Sequence, residues 1–406
     1  PKEAERIVKF LSADALRGRR VFTPDIEKAA DFIVNEFKSI GLQTWNNNGS
    51  YQQEFSMILP KSISASAIID GVAIDSDNII VFTCQQHLKI DQSSGYEIAS
   101  IKAGSSLILE GSEFINSGTN ILVMVDESYS TVFSRLNRLK EILIKTEKNV
   151  IFILDNSAPK NFKIEARHEI REEKLANIVA VLPGKSRKNE FVIISGHYDH
   201  VGTGSPAEAY PHNNKDSIYN GANDDASGTA AVIMLAKYYK ELNNNERTIV
   251  FVAFTAEELG GYGSQYFSSH MEAAQVVAMF NIEMIGTESK WGKNSAYITG
   301  YEKTDMATIL QKNLEGTGFT FYPDPYPEQQ LFYRSDNATL ARLGVPAHTI
   351  STSKMDNEPN YHRVSDQIET LDLDNMAMII KSIVISAETI IAGKEAPTRV
   401  KVDELH

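Results

Sequence analysis

The sequence of 406 residues has only one cysteine, and it lacks both a long apolar run and an excess of basic residues. The single thiol, Cys84, cannot form a disulfide within the chain and does not indicate a redox compartment. A membrane-spanning helix needs about 20 consecutive apolar residues, so the pattern predicts no membrane span. Lys and Arg total 40 against 53 Asp and Glu, a formal net charge of -13. This deficit argues against a nucleic-acid binder, which needs a basic face to neutralise phosphates.

The first part of the chain contains two consecutive regions with different patterns of apolar residues. Residues 3–41 have the apolar spacing of helices, and Gly41 is a typical C-terminal cap. The segment from about 57 to 174 instead contains short strand-like runs and one helix-like stretch. The runs lie at 105–110, 120–125 and 149–154, and the helix-like stretch lies at 130–145. We interpret this segment as an inserted β-rich domain.

From about residue 175 onward, strand-like runs alternate with a helical segment. The runs are apolar on both faces and rich in β-branched residues, which is typical of strands covered on both sides. They lie at 176–182, 191–195, 247–255 and 275–282, and the helical period lies at 226–242. This alternation predicts an α/β fold, a three-layer sandwich with a central mixed, mostly parallel sheet. The predicted main domain comprises residues 1–56 and 175–395, followed by a C-terminal tail at 396–406.

Residues that bind metals follow the ends of three of these strand-like runs. His197 and Asp199 follow the first, Glu257 and Glu258 the second, and Glu283 the third. Ligands of such folds gather at the carboxyl ends of the strands, so we expect these side chains to lie close together. Carboxylates at one sheet edge repel each other unless a cation neutralises them. The pattern therefore predicts a metal site.

Asp224, before the predicted helix, and His362, near the end of the chain, complete the candidate set. Some members have an ordinary structural interpretation by themselves, Asp224 as a helix cap and Glu257 and Glu258 as the acidic first turn of a helix. Together, two histidines and three carboxylates supply three ligands to each of two metals when one carboxylate bridges. Imidazole and carboxylate favour zinc, and two ions about 3.5 Å apart can hold both the attacking and the developing oxygen.

These motifs resemble the zinc-dependent exopeptidase family that includes the bacterial leucyl aminopeptidases, the glutamate carboxypeptidases, the glutaminyl cyclases and the transferrin receptor. The resemblance covers about residues 4–56 and 175–390. It is carried by Gly-His197-Tyr-Asp199, Gly-Ala-Asn-Asp224-Asp225-Ala-Ser-Gly, Phe-Thr-Ala-Glu257-Glu258, Asn-Ile-Glu283-Met-Ile-Gly, Tyr361-His362, Leu16-Arg17-Gly18-Arg19, Gly41-Leu42 and Arg334-Ser335-Asp336.

The resemblance implies a metal-binding role for five of these residues. One metal would be held by His197 and Glu283. The other would be held by Glu258 and His362. Asp224 would bridge the two ions.

The resemblance also implies three catalytic roles. Glu257 would act as the general base toward the attacking water. Asp199 would orient the metal-binding His197 ring through a hydrogen bond, and Tyr361 would donate to the tetrahedral oxyanion. Members of the family often have a cis peptide bond at the position of Asp224 and Asp225.

The activity implied is that of a zinc metallo-aminopeptidase, a hydrolase that carries two Zn²⁺, or cobalt or manganese in their place, and removes N-terminal residues from peptide substrates. A secreted or periplasmic location is implied as well, although the start of the chain at Pro1 does not resemble a signal segment. One alternative is a carboxypeptidase or dipeptidase, in which Arg334 or Arg363 would bind the substrate carboxylate. A glutaminyl-cyclase-like acyltransferase would keep one metal, and a non-catalytic binding module would lack ligands that this chain retains. The oligomeric state stays open.

Two positions depart from the family pattern. Glu283 stands where many members have Asp, which leaves the metal preference open. Asn337 stands where many relatives have His, which concerns the substrate pocket. The insert at 57–174 stands where some relatives carry a protease-associated domain, and its expected role is to wall the cleft and limit access to chain ends.

Overall fold

The computed structural model describes residues 1–45, 49–204 and 216–405, and the chain divides into two compact units. One unit comprises Pro1–Glu54 and Leu175–His406, and the other comprises Phe55–Lys174. The helices are α1 (Lys2–Leu11), α2 (Pro24–Ile40), α3 (Leu107–Ile115), α4 (Gly228–Leu242), α5 (Tyr262–Ser269), α6 (Met306–Asn313), α7 (Asn337–Ala341) and α8 (Leu373–Ile391). The strands are β1 (Gln43–Thr44), β2 (Gln52–Ile69), β3 (Val72–Ile74), β4 (Ile79–Phe82), β5 (His87–Asp91), β6 (Glu97–Ile101), β7 (Ile121–Val125), β8 (Leu143–Ile144), β9 (Val150–Leu154), β10 (Phe162–Leu182), β11 (Arg187–His197), β12 (Gly202–Thr203), β13 (Ile218–Tyr219), β14 (Arg247–Phe254), β15 (Val276–Ile282), β16 (Ser295–Ile298), β17 (Thr320–Pro323) and β18 (Ala347–Ser351).

The first unit is built on a mixed sheet in the order β17-β16-β18-β15-β11-β14-β10, with β1 paired to β10. The four strands β18, β15, β11 and β14 run parallel to one another. Towards the edges, β10 is antiparallel to β14 and β16 is antiparallel to β18. Ile193 of β11 pairs with Val250 of β14 and with Met279 of β15. This register brings the carboxyl ends of the parallel strands to the same edge.

Helices cover both faces of this sheet. Successive residues of β11 point to opposite sides, since Ile194 packs in a cluster with α1, α2, α4, α6 and α8, whereas Ile193 packs in a cluster with α5 and α7. Burial on both faces explains why these strands are continuous apolar runs. The predicted three-layer α/β sandwich is confirmed. No helix in the described part of the chain is long and apolar enough to span a membrane.

The N-terminal helices and the segment after α8 both belong to the first unit. Gly41 ends α2 in the left-handed conformation at φ 78°, as the sequence predicts. Near the C-terminus, the backbone N–H of Val400 donates to the carbonyl of Gly344 at 3.1 Å. The guanidinium of Arg399 donates to the carbonyl of Val276 at 2.6 Å. Hydrogen bonds from Arg399 and Val400 therefore hold the segment after α8 against the rest of the first unit.

The second unit has its own four-stranded sheet, in the order β4-β9-β7-β6. Its two central strands, β7 and β9, are buried along their whole length between two apolar clusters. These strands coincide with the predicted runs at 120–125 and 149–154. The run predicted at 105–110 is wrong, because the hydroxyl of Ser106 accepts from the N–H of Leu109 and begins α3. The helix predicted at 130–145 is wrong, because this interval forms a single 3₁₀ stretch at Phe133–Lys140 followed by the short strand β8.

A buried polar cluster lies within the second unit. The Lys140 ammonium is 2.6 Å from Ser62 Oγ and 2.8 Å from His168 Nε2. Burial lowers the pKa of Lys140 to about 8, and burial together with the Lys140 charge lowers the pKa of His168 to about 4. His168 is therefore a neutral acceptor for Lys140 at neutral pH.

We expect this cluster to make the second unit sensitive to acid. The unfolded chain takes up a proton at His168 near pH 6.5, whereas the folded chain does so only near pH 4. The contribution of the neutral His168 ring to the free energy of unfolding is therefore lost as the pH falls from about 6.5 towards 4. With partial solvent screening, we expect this residue to reduce the free energy of unfolding by about 2 kcal/mol over that interval.

The measurement is urea unfolding at both pH values for wild type, His168→Gln and His87→Gln. Glutamine at 168 keeps an acceptor for Lys140 but has no proton to take up, so the loss should shrink by that amount. His87 is about half exposed and pairs with the similarly exposed Glu165. Because surface ion pairs contribute little to stability, the His87→Gln variant should keep the pH dependence of the wild type. An unchanged pH dependence in His168→Gln would contradict the prediction.

Candidate active site

Three parallel strands bring predicted ligands to one edge of the first unit's sheet. β11 ends at His197, β15 is followed directly by Glu283, and the turn after β14 carries Glu257 and Glu258. Because these strands are parallel neighbours, their carboxyl ends meet. The tertiary structure thus places together side chains that are far apart in the sequence.

Asp224 reaches the same place on the irregular turn that precedes α4. Its peptide bond to Asp225 is cis, as the resemblance implies. The turn is held by Asp366, whose carboxylate accepts from the backbone N–H of Asn223 at 2.8 Å and of Asp224 at 3.0 Å. Asp366 therefore positions the main chain that presents Asp224.

Asp225 connects three backbone segments around the site. Its carboxylate accepts from the N–H groups of Gly228 and Met284, both at 3.0 Å, and of His197 at 3.1 Å. Gly228 has no room for a side chain, because an added Cβ would lie 2.1 Å from the carbonyl oxygen of Ile282. The start of α4 therefore lies directly against the end of β15.

Asp224 presents one carboxylate oxygen to each of two histidines. Its Oδ1 is 3.2 Å from His197 Nε2, and its Oδ2 is 3.2 Å from His362 Nε2. His362 Nε2 also lies 3.0 Å from Glu258 Oε2. On the side of Asp224 that faces His197, one potential ligand atom from each of His197, Asp224 and Glu283 lies within 4.8 Å of the others. A second such group comprises His200, Asp224 and Glu258, and His362 contacts the same two carboxylates. Two groups of candidate ligands therefore share Asp224.

The chemistry of both groups fits divalent cations. His197 Nε2 is buried, and although Asp224 Oδ1 lies 3.2 Å away, it makes no well-aligned hydrogen bond with the described residues, a costly arrangement unless a ligand binds there. Burial raises the pKa of Glu257 and of Glu283, and neighbouring carboxylates add to the effect. Burial also acts to raise the pKa of Glu258, but hydrogen bonds from two histidines lower it to about 2. A divalent cation would relieve the repulsion among these carboxylates, and their combination with imidazole suits zinc.

Asp199 lies fully buried next to His197, in a geometry that differs from the expected one. Its carboxylate is 3.7 Å from His197 Nδ1, whereas its backbone carbonyl oxygen is 3.2 Å away. The carboxylate instead accepts from the N–H groups of Glu257 at 3.1 Å and Glu258 at 3.3 Å. Burial raises the pKa of Asp199 to about 6. The main chain of Asp199 thus contacts the ring, and its side chain positions the two glutamates.

A small pocket open to solvent is lined by Glu283 and Tyr361. Burial raises the pKa of the Tyr361 hydroxyl, which therefore remains a hydrogen-bond donor. The Tyr361 ring stacks on His362 with centroids 4.0 Å apart. Arg334 also lines the pocket and donates to Gln329 at 2.9 Å. The remaining walls are formed by Met284, Tyr297, Thr299, Leu331, Ser335, Thr349, Ser351 and Met355.

Asn337, which departs from the family pattern, is not among the residues that line this pocket. Asn337 is fully buried behind the pocket, and its Nδ2 donates to the carbonyl of Phe332 at 2.9 Å. Its Oδ1 accepts from the hydroxyl of Thr349 at 2.8 Å. The substitution therefore concerns packing behind the pocket and not the pocket wall.

Sequence reasoning assigned no role to several residues that support the site. Arg19 is fully buried, and its guanidinium donates to the backbone carbonyls of Leu11, Tyr198, Asn220 and Gly221. It ties the N-terminal segment to the chain on either side of the site. The Leu-Arg-Gly-Arg motif was noticed in the sequence, but nothing local indicates that its second arginine is buried. Asp366 and His200 were missed in the same way, although each lies within four residues of a predicted ligand.

A profile of Peptidase family M28 matches residues 177–386. The match covers just over half of the 406 residues and includes all five predicted metal ligands. The chain belongs to peptidase family M28. The resemblance predicted from the motifs is thereby confirmed, and zinc metallopeptidase chemistry is what this family membership indicates.

Curated relatives in this family match parts of the chain. A probable leucine aminopeptidase of Trichophyton verrucosum is 27% identical over 233 residues, which are 55% of this chain and 59% of that protein. The aminopeptidase YwaD of Bacillus subtilis is 33% identical over 123 residues, 29% of this chain and 23% of that protein. The chain thus spans less than two thirds of the length of these relatives.

Solved structures of the family resemble the whole chain in fold. An aminopeptidase from Aneurinibacillus sp. strain AM-1 superposes with a TM-score of 0.55 at 17% identity, covering 100% of this chain and 96% of that chain. BSAP, a zinc aminopeptidase from Bacillus subtilis, gives a TM-score of 0.54 at 17% identity, covering 97% of this chain and 96% of that chain. At this identity the likeness supports the fold alone.

Proposed function

We propose that this protein is a metallo-aminopeptidase that removes N-terminal residues from peptides with two zinc ions. The observation that carries the proposal is the position of Asp224, whose two oxygens each lie 3.2 Å from a different histidine. A carboxylate shared in this way suits two metals held side by side. Names of matched relatives, leucine aminopeptidases among them, support the same substrate class.

Five residues would hold the metals. His197 and Glu283 would bind one ion, Glu258 and His362 the other, and Asp224 both. When bound, the ions would polarise the scissile carbonyl and lower the pKa of the attacking water.

The protein's own groups would then move the proton and stabilise charge. Glu257 lies beside the ligands, with Oε2 3.9 Å from His197 Nε2, and would accept the proton of the attacking water. It would then deliver that proton to the leaving amine. Tyr361 would donate its hydroxyl to the developing oxyanion. The pocket beside Glu283 and Tyr361 would receive the side chain of the N-terminal residue that is released.

The deciding experiment compares unblocked and N-acetylated peptides, with release of free amino acids as the readout. We expect wild-type protein to release the N-terminal residue from unblocked peptides only. A chelator should abolish release, and added Zn²⁺ should restore it, because the ligand groups require cations.

Other outcomes would favour other activities. Release of C-terminal residues from blocked peptides would favour a carboxypeptidase, for which Arg334 in the pocket offers a partner to a carboxylate. Cyclisation of N-terminal glutamine without hydrolysis would favour an acyltransferase. Zinc binding without turnover of any peptide would contradict an enzymatic role.

We also propose a secreted or periplasmic location, which rests on the resemblance and is tested by fractionation of the native host. Residues 57–174 are proposed to form a protease-associated-like insert within a catalytic domain at 1–56 and 175–395. Support for an independent insert comes from its own sheet and its own apolar clusters.

A further inference from the structure

A third histidine, His200, lies against the proposed metal ligands. Its side chain has no solvent exposure. Its Nδ1 is 2.7 Å from Glu258 Oε1 and 3.9 Å from Asp224 Oδ2. Its Nε2 is buried without a hydrogen-bond partner among the described residues.

The two oxygens of Glu258 have different partners. Oε2 lies 3.0 Å from His362 Nε2, whereas Oε1 lies 2.7 Å from His200 Nδ1. Two ligands of one tetrahedral zinc ion, each bonded at about 2.0–2.1 Å, stand about 3.3 Å apart. The His362 contact is close to that spacing, but the His200 contact is shorter and has the length of a charge-assisted N–H···O hydrogen bond.

The His200 ring is held in place by its surroundings. Its backbone N–H donates to the carbonyl of Arg19 at 3.2 Å. The ring packs over Gly221, where an added Cβ would lie 2.6 Å from His200 Cδ2. The buried Arg19 guanidinium also binds the carbonyl of Gly221 at 3.0 Å. These contacts leave the ring little freedom to turn away from Glu258.

We propose that His200 is a positioning residue, which donates its Nδ1–H to Glu258 Oε1 and so presents Oε2 to the metal shared with His362. This inference rests on the proposed function. Under this proposal, His200 contacts the metal ligand Glu258 and does not bind the metal itself. Residues that orient a metal ligand in this way typically contribute a factor of about 10–100 to metal affinity.

The test measures zinc binding to the full chain by competition with a chelator, for wild type, His200→Asn and His200→Gln. The asparagine Nδ2 stands close to the histidine Nδ1 and keeps the donor, whereas the glutamine Nε2 stands close to the histidine Nε2 and does not. We expect H200Q to lose about 10–100-fold affinity at one of two zinc positions. H200N should bind both ions nearly as wild type does.

A second measurement needs no substitution and remains informative if H200Q does not fold. In zinc-loaded wild-type protein, nitrogen-15 spectra of labelled histidine should show a protonated, metal-free Nδ1 at His200. Direct coordination of zinc by that nitrogen would overturn the proposal. So would wild-type affinity at both positions in H200Q, or equal losses in H200N and H200Q. Wild type that binds no zinc would instead overturn the proposed function along with this inference.

Discussion

Replacing Glu257 by glutamine is expected to lower kcat by a factor of about 10²–10⁴. The glutamine keeps the size and the backbone contacts of the side chain, and the N–H of residue 257 would still donate to Asp199. The amide cannot accept a proton from water, so the loss should fall on kcat while KM changes little. Zinc content should remain at the wild-type value, because Glu257 is not one of the five proposed ligands.

The measurement is steady-state kinetics on an unblocked peptide together with metal analysis of the same sample. Glu241→Gln is the matched control, because Glu241 is an exposed glutamate near the end of α4. A Glu257→Gln variant with wild-type kcat and wild-type zinc content would exclude Glu257 as the base. Loss of zinc in this variant would instead indicate that Glu257 is a ligand.

Replacing Asp224 by asparagine is expected to remove both zinc ions, whereas changing a ligand of one ion should leave the other. Each oxygen of Asp224 faces a different histidine, so loss of the carboxylate charge affects both groups at once. We expect affinity to fall at both positions by more than the roughly 100-fold typical of residues that only orient a ligand. Peptide hydrolysis should become undetectable.

Metal analysis after dialysis, with Glu283→Gln as the comparison, distinguishes the bridging role from a single-ion role. Asp31→Asn, at an exposed aspartate of α2, controls for the change in net charge. Retention of one tightly bound zinc ion in Asp224→Asn would contradict the bridging assignment. Retention of none in Glu283→Gln would indicate that the two positions fill only together.

The strands of the first unit were predictable because burial on both faces leaves a local signature. Runs such as 191–195 and 247–255 are apolar without alternation, and they coincide with β11 and β14. The insert was harder, because the apolar run at 105–110 carries no period that separates a strand from a helix. There the capping hydroxyl of Ser106 and packing on the second unit's sheet favoured α3.

Motif order along the chain was sufficient to identify the five ligand candidates and the family. Parallel strands bring their carboxyl ends to one edge, so residues that follow such strands meet whatever their separation in sequence. The contacts among them depend on the packed fold. His200 and Glu258 are 58 positions apart, and no local pattern indicates that one donates to the other. Likewise, the Asp199 carboxylate binds two backbone N–H groups because the turn after β14 folds over it, a geometry that exists only once the strands are assembled.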